Sequence, residues 1–377
     1  MKRTLLFLLF IIFLMPRFCL AENFFPIGMF SVGIDGMETV KEAGFNTMHT
    51  YVSDADQLKT YIEKAEKLRL KLLIYPADRA EKGSISNERV KKFIETNKKS
   101  KSILAWFVAD EPELNGGSPS KIIEINSFIK ELDPSRSTAV VIHRTDRFKE
   151  YKNASDILMT DRYPIPNNPV SHIAETTQWA VIQKGDSGPV WAVLQAFGYQ
   201  NPQLKGWGLR EPTYDEMRAM TFLSIIHGAK GIFYFTFTGS QYHILQSPDH
   251  WNDLKSIVAE LNKIYPLLLL PNDNLTITPY ITEGPQKDEW GVVPVHVTIR
   301  HLKKNTGTLK AGYYLIAANS TDKPVKASFR LNRVLALSKY ANDILNEGSK
   351  LNIENRTFSD TFKPYGVHIY IIIANRI

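Results

Sequence analysis

The sequence predicts an α/β chain, a (β/α)8 TIM barrel followed by a small all-β sandwich, and three observations carry that prediction. Between Phe24 and Leu270, short apolar strands alternate with amphipathic helical stretches, the pattern of a parallel sheet with helices packed outside it. Eight such units in roughly 245 residues match the size of a closed barrel. Beyond Pro271-Asn-Asp-Asn274 the helical pattern stops and strands dominate. A doubly wound sheet is the competing architecture, but no Gly-rich phosphate loop follows the first strand. The chain is therefore divided into residues 1–21, 22–270 (barrel) and 271–377 (sandwich).

The chain opens with Met1-Lys-Arg, an apolar run to Met15, and Phe18-Cys-Leu-Ala21 before Glu22. A basic start, a short apolar core and a small residue before the cut form a signal peptide cleaved after Ala21. The run is short for a membrane span, so the mature chain is expected to be secreted or periplasmic with no stable membrane anchor. Cys19, the only cysteine, leaves with this segment, so no disulfide is available and stability must come from a large core. Loss of Lys2, Arg3 and Arg17 lowers the formal charge of +7 by three, to a mild +4 with no basic block, and nucleic acid is not an expected partner. Asn153, Asn274, Asn319 and Asn355 head Asn-x-Ser/Thr triplets.

The eight predicted strands are 25–30, 45–52, 71–77, 103–110, 137–143, 156–163, 190–197 and 231–237. Helical patterns at 54–68, 87–96, 121–132 and 214–227 lie between them, with Asp54 and Ser120 as N-cap candidates and a last helix over 251–270. Five further strands are expected at 275–281, 292–300, 312–319, 325–329 and 367–373.

In a barrel of this kind, chemistry gathers at the C-terminal strand ends. The fourth strand is a continuous apolar run that ends in Asp110-Glu111-Pro112, and Pro112 cannot donate to a ladder. A carboxyl walled by apolar side chains has a raised pKa that suits a general acid; the plainer reading is a solvated strand end. The other strand ends offer His49 and Tyr51, Tyr75 with Asp78 and Arg79, His143 and Arg144, Asp161 with Tyr163, Gln195 with Phe197, and Tyr234. Trp207 sits in the long, glycine-bearing seventh connection, where an indole either stacks on a sugar ring or pins the loop. The nine histidines show no metal-ligand spacing, so neither a metal nor a cofactor is expected.

With an acid and Pro closing strand four, Asp-x-Tyr-Pro closing strand six and β-structure trailing, the chain resembles clan A glycoside hydrolases. The segments 312–319 and 358–370 look similar to the sandwich domains that follow such barrels. The resemblance implies that Glu111 is the general acid/base. It also places Gln195 where the clan carries its nucleophilic Glu, so the second carboxylate must be Asp161 or Asp110. Asp161 two strands away fits the wider spacing of an inverting enzyme, about 6.5–9.5 Å. The expected activity is hydrolysis of a poly- or oligosaccharide; the alternatives are a non-catalytic carbohydrate-binding protein on a degenerate barrel, or a structural module of the cell envelope.

Overall fold

The computed structural model describes residues 24–52, 54–76, 87–198, 210–239, 241–275, 277–332, 338–345 and 349–373. The leader segment, Asp78, Arg79 and Trp207 lie outside the described residues. Eight parallel strands close a barrel: β1 (Ile27–Met29), β2 (Thr47–Thr50), β3 (Lys71–Ile74), β4 (Ile103–Asp110), β5 (Ser137–Ile142), β6 (Ile157–Arg162), β7 (Val190–Gln195) and β8 (Ile232–Phe235). All eight fall within the predicted runs. The paired cores are mostly shorter than the apolar runs because the flanking residues turn toward the helices.

The lumen is filled by Phe30, Phe107, Trp191 and Phe233 with smaller side chains between them. So aromatic an interior needs space on the neighbouring strands. A Cβ on Gly28 of β1 would stand 2.2 Å from the Phe233 ring, and one on Gly231 would stand 2.7 Å from Trp191; these two glycines are the complement of the bulky lumen.

Helix starts follow local chemistry. Asp54 Oδ1 accepts from the amides of Asp56 and Gln57 at 3.0 and 2.8 Å, as expected of a cap. The second expected cap is corrected: Ser118, not Ser120, accepts the Lys121 amide, because Pro119 occupies the first helical position and moves the start forward. The expected last helix is broken into Pro248–Lys263 and Tyr265–Leu268, with Pro266 just beyond the break.

After Leu268 the chain builds two antiparallel sheets. Thr278–Glu283, Val325–Arg330 and Thr357–Phe362 form one; Val295–Leu302, Gly312–Asn319, Val367–Ile372, Tyr340–Asp343 and Lys350–Asn352 form the other. The strand Gly312–Asn319 reads as continuously apolar because both its faces are buried. Leu315 and Ala317 join Phe329, Phe358 and Phe362 between the sheets, whereas Tyr314, Ile316 and Ala318 belong to the barrel's outer core. The helix Tyr214–Ile226 meets that face. Every residue from Glu216 to Ile226 is buried, and no polar stripe is needed on a helix enclosed by strands on one side and a sheet on the other. Arg218 Nη1 donates to Val367 O at 3.1 Å across this contact. Asn319 is buried with its amide donating to Lys323 O and Lys363 O, so that triplet is not open to modification in the folded chain. Among the described residues no helix is long and apolar enough to cross a membrane.

Candidate active site

At the C-terminal mouth a cavity of about 270 Å³ is lined by Tyr51, Asp110, Glu111, His143, Asp161 and Tyr163, with Phe30, Leu114, Val141, Val193, Phe197 and Phe235 as its apolar wall. Strand alternation puts several of these side chains there. On β5, Ala139 and Val141 point into the lumen, and His143 continues their file; on β6, Ile157 and Met159 are followed by Asp161 and Tyr163.

Asp110 and Glu111 are neighbours, yet both line the cavity, which a regular strand forbids. The register of β4 against β5 slips between Phe107 and Ala109, and Glu111 itself adopts φ +45°, ψ +52°, the left-handed region. A non-glycine residue there carries strain of about 1–3 kcal/mol and persists only where its surroundings fix it. The Glu111 amide is tied to Val141 O at 3.1 Å, its carbonyl receives the amides of Leu114 and Asn115, and the Asn115 side chain donates to both Asp110 O and Glu111 O at 3.1 Å. Pro112 starts the short helical turn that supplies these donors. Asp-Glu-Pro is thus a device that turns two adjacent carboxylates toward one space. Tyr51 donates to Asp110 Oδ2 at 3.0 Å and fixes the first of them.

Glu111 Oε1 and Asp161 Oδ1 each lie 3.7 Å from His143 Nδ1, and the three groups stand within 4.8 Å of one another. Arg162 Nη1 approaches His143 Nε2 at 3.4 Å. A guanidinium only donates, so Nε2 is the acceptor and the imidazole proton is on Nδ1, between the carboxyls. Burial lowers the His143 pKa and the ring is neutral. Burial, followed by the hydrogen bond and charge of Asp161, pushes Glu111 well above the carboxylate range. Burial also raises Asp161 to about 6, with Asp110 adding to the rise and the Glu111 hydrogen bond opposing it. The proton of the pair therefore resides on Glu111 at neutral pH. Glu113 accepts from the amides of His143 and Arg144 at 2.6 and 2.9 Å and fixes the end of β5.

Three expectations are corrected. Gln195 does not face the cavity: its side chain is fully buried, accepts from Ile165 N at 2.9 Å, and donates to Ile165 O and Phe197 O at 3.0 and 3.2 Å. It clamps the connection after β6 instead of meeting a ligand. Tyr234 points outward, its hydroxyl 2.8 Å from that of Thr221 on the helix Tyr214–Ile226, while its neighbours Phe233 and Phe235 take the lumen side. The wide spacing expected for Asp161 is absent, since its nearest oxygen lies within 4.8 Å of one on Glu111.

His49 and Tyr75 are buried beneath the site. His49 packs between Phe30, tilted at 4.3 Å, and Tyr51, edge-to-face at 4.4 Å, and its burial, lowering the pKa to about 3, keeps it neutral. Tyr75 packs 5.0 Å from Phe107. Phe235 is absent from the residues that the sequence points to, and it is the platform against which Tyr163 stacks, at 5.7 Å. Strict alternation from Phe233 is the signal that finds it.

Glu111, His143 and Asp161 are also the one group among the described residues able to hold a metal ion. No spacing motif signals it because three strands contribute one ligand each. The fit is poor: the shared carboxyl proton and the Nδ1 proton held in place by Arg162 would both have to leave.

Residues 36–188 match the family model for the TIM barrel domain of family 2 glycosyl hydrolases. Solved structures with similar folds include a GH27 β-L-arabinopyranosidase from Geobacillus stearothermophilus (12% identity, 96% of this chain and 100% of that one, TM-score 0.63). A family 5 glycoside hydrolase from Bacteroides vulgatus is 13% identical over 93% of this chain and 89% of its own, with a TM-score of 0.59. An α-amylase from Geobacillus thermoleovorans is 10% identical over 92% and 97%, with a TM-score of 0.55. No curated protein sequence matches. The chain has a TIM barrel followed by antiparallel sheets, similar in fold to these glycoside hydrolases, and the low identities carry the fold alone.

Proposed function

We propose that this protein is a secreted glycoside hydrolase acting on a poly- or oligosaccharide, with Glu111 as the general acid that protonates the leaving oxygen. One observation carries the reading: Glu111 is turned by a strained backbone into a cavity with an apolar wall, where burial and Asp161 hold its proton. That is the state a general acid needs. Asp161 acts through Glu111 as the group that orients and retains the proton. Asp110, facing the same cavity on a Tyr51 hydrogen bond, supplies the second negative charge toward the anomeric carbon. The gap between Glu111 and Asp161 is too narrow for an attacking water, so Asp161 does not serve as an inverting base. The half-buried Tyr163 and Phe235, backed by the buried Phe197, offer aromatic surface to a sugar. The leader ending at Ala21 supports export.

A binding-only reading has one support, the neutral Gln195 at the end of β7. Screening the exported protein against a glycan panel for both reducing-sugar release and bound ligand decides between the two. The Glu111→Gln protein should lose about 10²- to 10⁴-fold in turnover on an unactivated substrate. Wild-type turnover in that variant would remove Glu111 from its role; ligand bound with no release by the wild type would leave a binding protein.

A further inference from the structure

The second domain reaches back to the rim of the barrel. Its loop 288–292 is tightly organised: Asp288 Oδ1 accepts from Trp290 N and Val292 N at 2.9 and 3.3 Å, the Asp288 amide donates to Val292 O at 2.8 Å, and Gly291 takes φ +77° to close the turn. Asp288 is anchored in turn by Ser320 at 3.1 Å and by His296 at 3.5 Å, and His296 meets His227 of the barrel at 2.8 Å. This rigid loop holds an exposed indole. Trp290 stacks on His172, with ring centroids 4.4 Å apart and planes at 27°, yet remains 44% exposed.

His172 opens the helix Ser171–Lys184 that follows β6, and the charge of Arg162 reaches both His172 and Glu175 while its guanidinium rests on His143 of the cavity. On that helix, His172, Glu175 and Trp179 fall along one stripe, and Trp179 is 45% exposed. Seven residues at ~1.5 Å each separate the two aromatic positions by about 10 Å along the helix, roughly a disaccharide's length.

We propose that Trp290 and Trp179 form an accessory glycan-binding strip that leads from the catalytic mouth along the barrel wall, with Trp290, contributed by the second domain, as its inner platform. The inference deepens the glycoside-hydrolase reading and rests on it for the class of ligand. The chemistry of the strip favours a sugar chain over a protein. Flat rings separated by a carboxylate suit the apolar faces and the hydroxyls of successive pyranoses, whereas a protein interface needs a broad, continuous apolar centre. Pre-ordering by Asp288 means that little conformational freedom is lost on binding.

The test uses the full-length protein in affinity electrophoresis through gels containing single polysaccharides, together with the ratio of kcat/KM on the retained polymer to that on an aryl glycoside of the same sugar. Trp290→Ala should weaken retention and lower the ratio by about 3- to 10-fold. Trp179→Ala should do so to a smaller extent, and Trp290→Phe should recover retention. Melting curves identify any variant that has lost its fold, and the Phe variant then carries the comparison. Wild-type retention and ratio in both folded Ala variants would overturn the strip, as would a wild type that no polysaccharide retains. A wild type that is retained by a polysaccharide but hydrolyses nothing defeats the hydrolase reading, and the retention arm still decides the strip.

Discussion

Replacing Asp161 by Asn should make the protein more stable and less active, and the structure sets the size of the first effect. Asp161 is 3% exposed, and burial raises its pKa from 3.8 to about 6. A carboxyl whose folded pKa is raised contributes stability that is fully present below its unfolded pKa and is lost as pH rises through the folded one. Above about pH 6 the folded state therefore carries an ionised, poorly solvated group. At about 1.36 kcal/mol for each pH unit between the unfolded and folded pKa, the penalty is about 3 kcal/mol. Asn keeps the shape and an acceptor oxygen for Glu111 but has no charge to desolvate. At pH 8 the variant should melt several degrees above the wild type; at pH 3.5, where Asp161 is itself protonated, the advantage should shrink toward zero. Calorimetry at both pH values gives the stability difference. The same substitution should remove the limb of the pH–rate profile near 6, since the wild type needs Asp161 ionised and Glu111 protonated. A variant less stable at pH 8, or one with the same advantage at both pH values, would refute the view that Asp161 is a desolvated charge retained for function.

Gln195→Ala should act on stability, not on ligand affinity. It leaves the buried amide and carbonyl of Ile165 without side-chain partners and should cost about 2–4 kcal/mol, read as a lower Tm with unchanged glycan affinity per folded molecule. An affinity loss without a melting change would return Gln195 to the site. Mass spectrometry of the exported protein should find a chain beginning at Glu22, and an intact Met1 would count against export through a cleaved leader.

Much of this molecule is determined by local pattern. Short continuous apolar runs, helical periodicity between them and the shift to strands after Pro271 specify a barrel followed by sheets, because each element's burial is written in its own residues. The position of Glu111 at the barrel mouth is legible for the same reason, since Pro112 ends the apolar run that delivers it. What local pattern cannot carry is direction and distance. Tyr234 and Gln195 have the residue types of a sugar site, yet one faces a helix and the other clamps a loop, because a neighbour in the lumen or a buried backbone pair claims them first. Only the closed barrel brings Glu111, His143 and Asp161 from three strands to a spacing that forces them to share a proton, and only the packing of the second domain carries Trp290 to the barrel rim. Those features depend on contacts between residues far apart in the chain, and tertiary packing alone decides them.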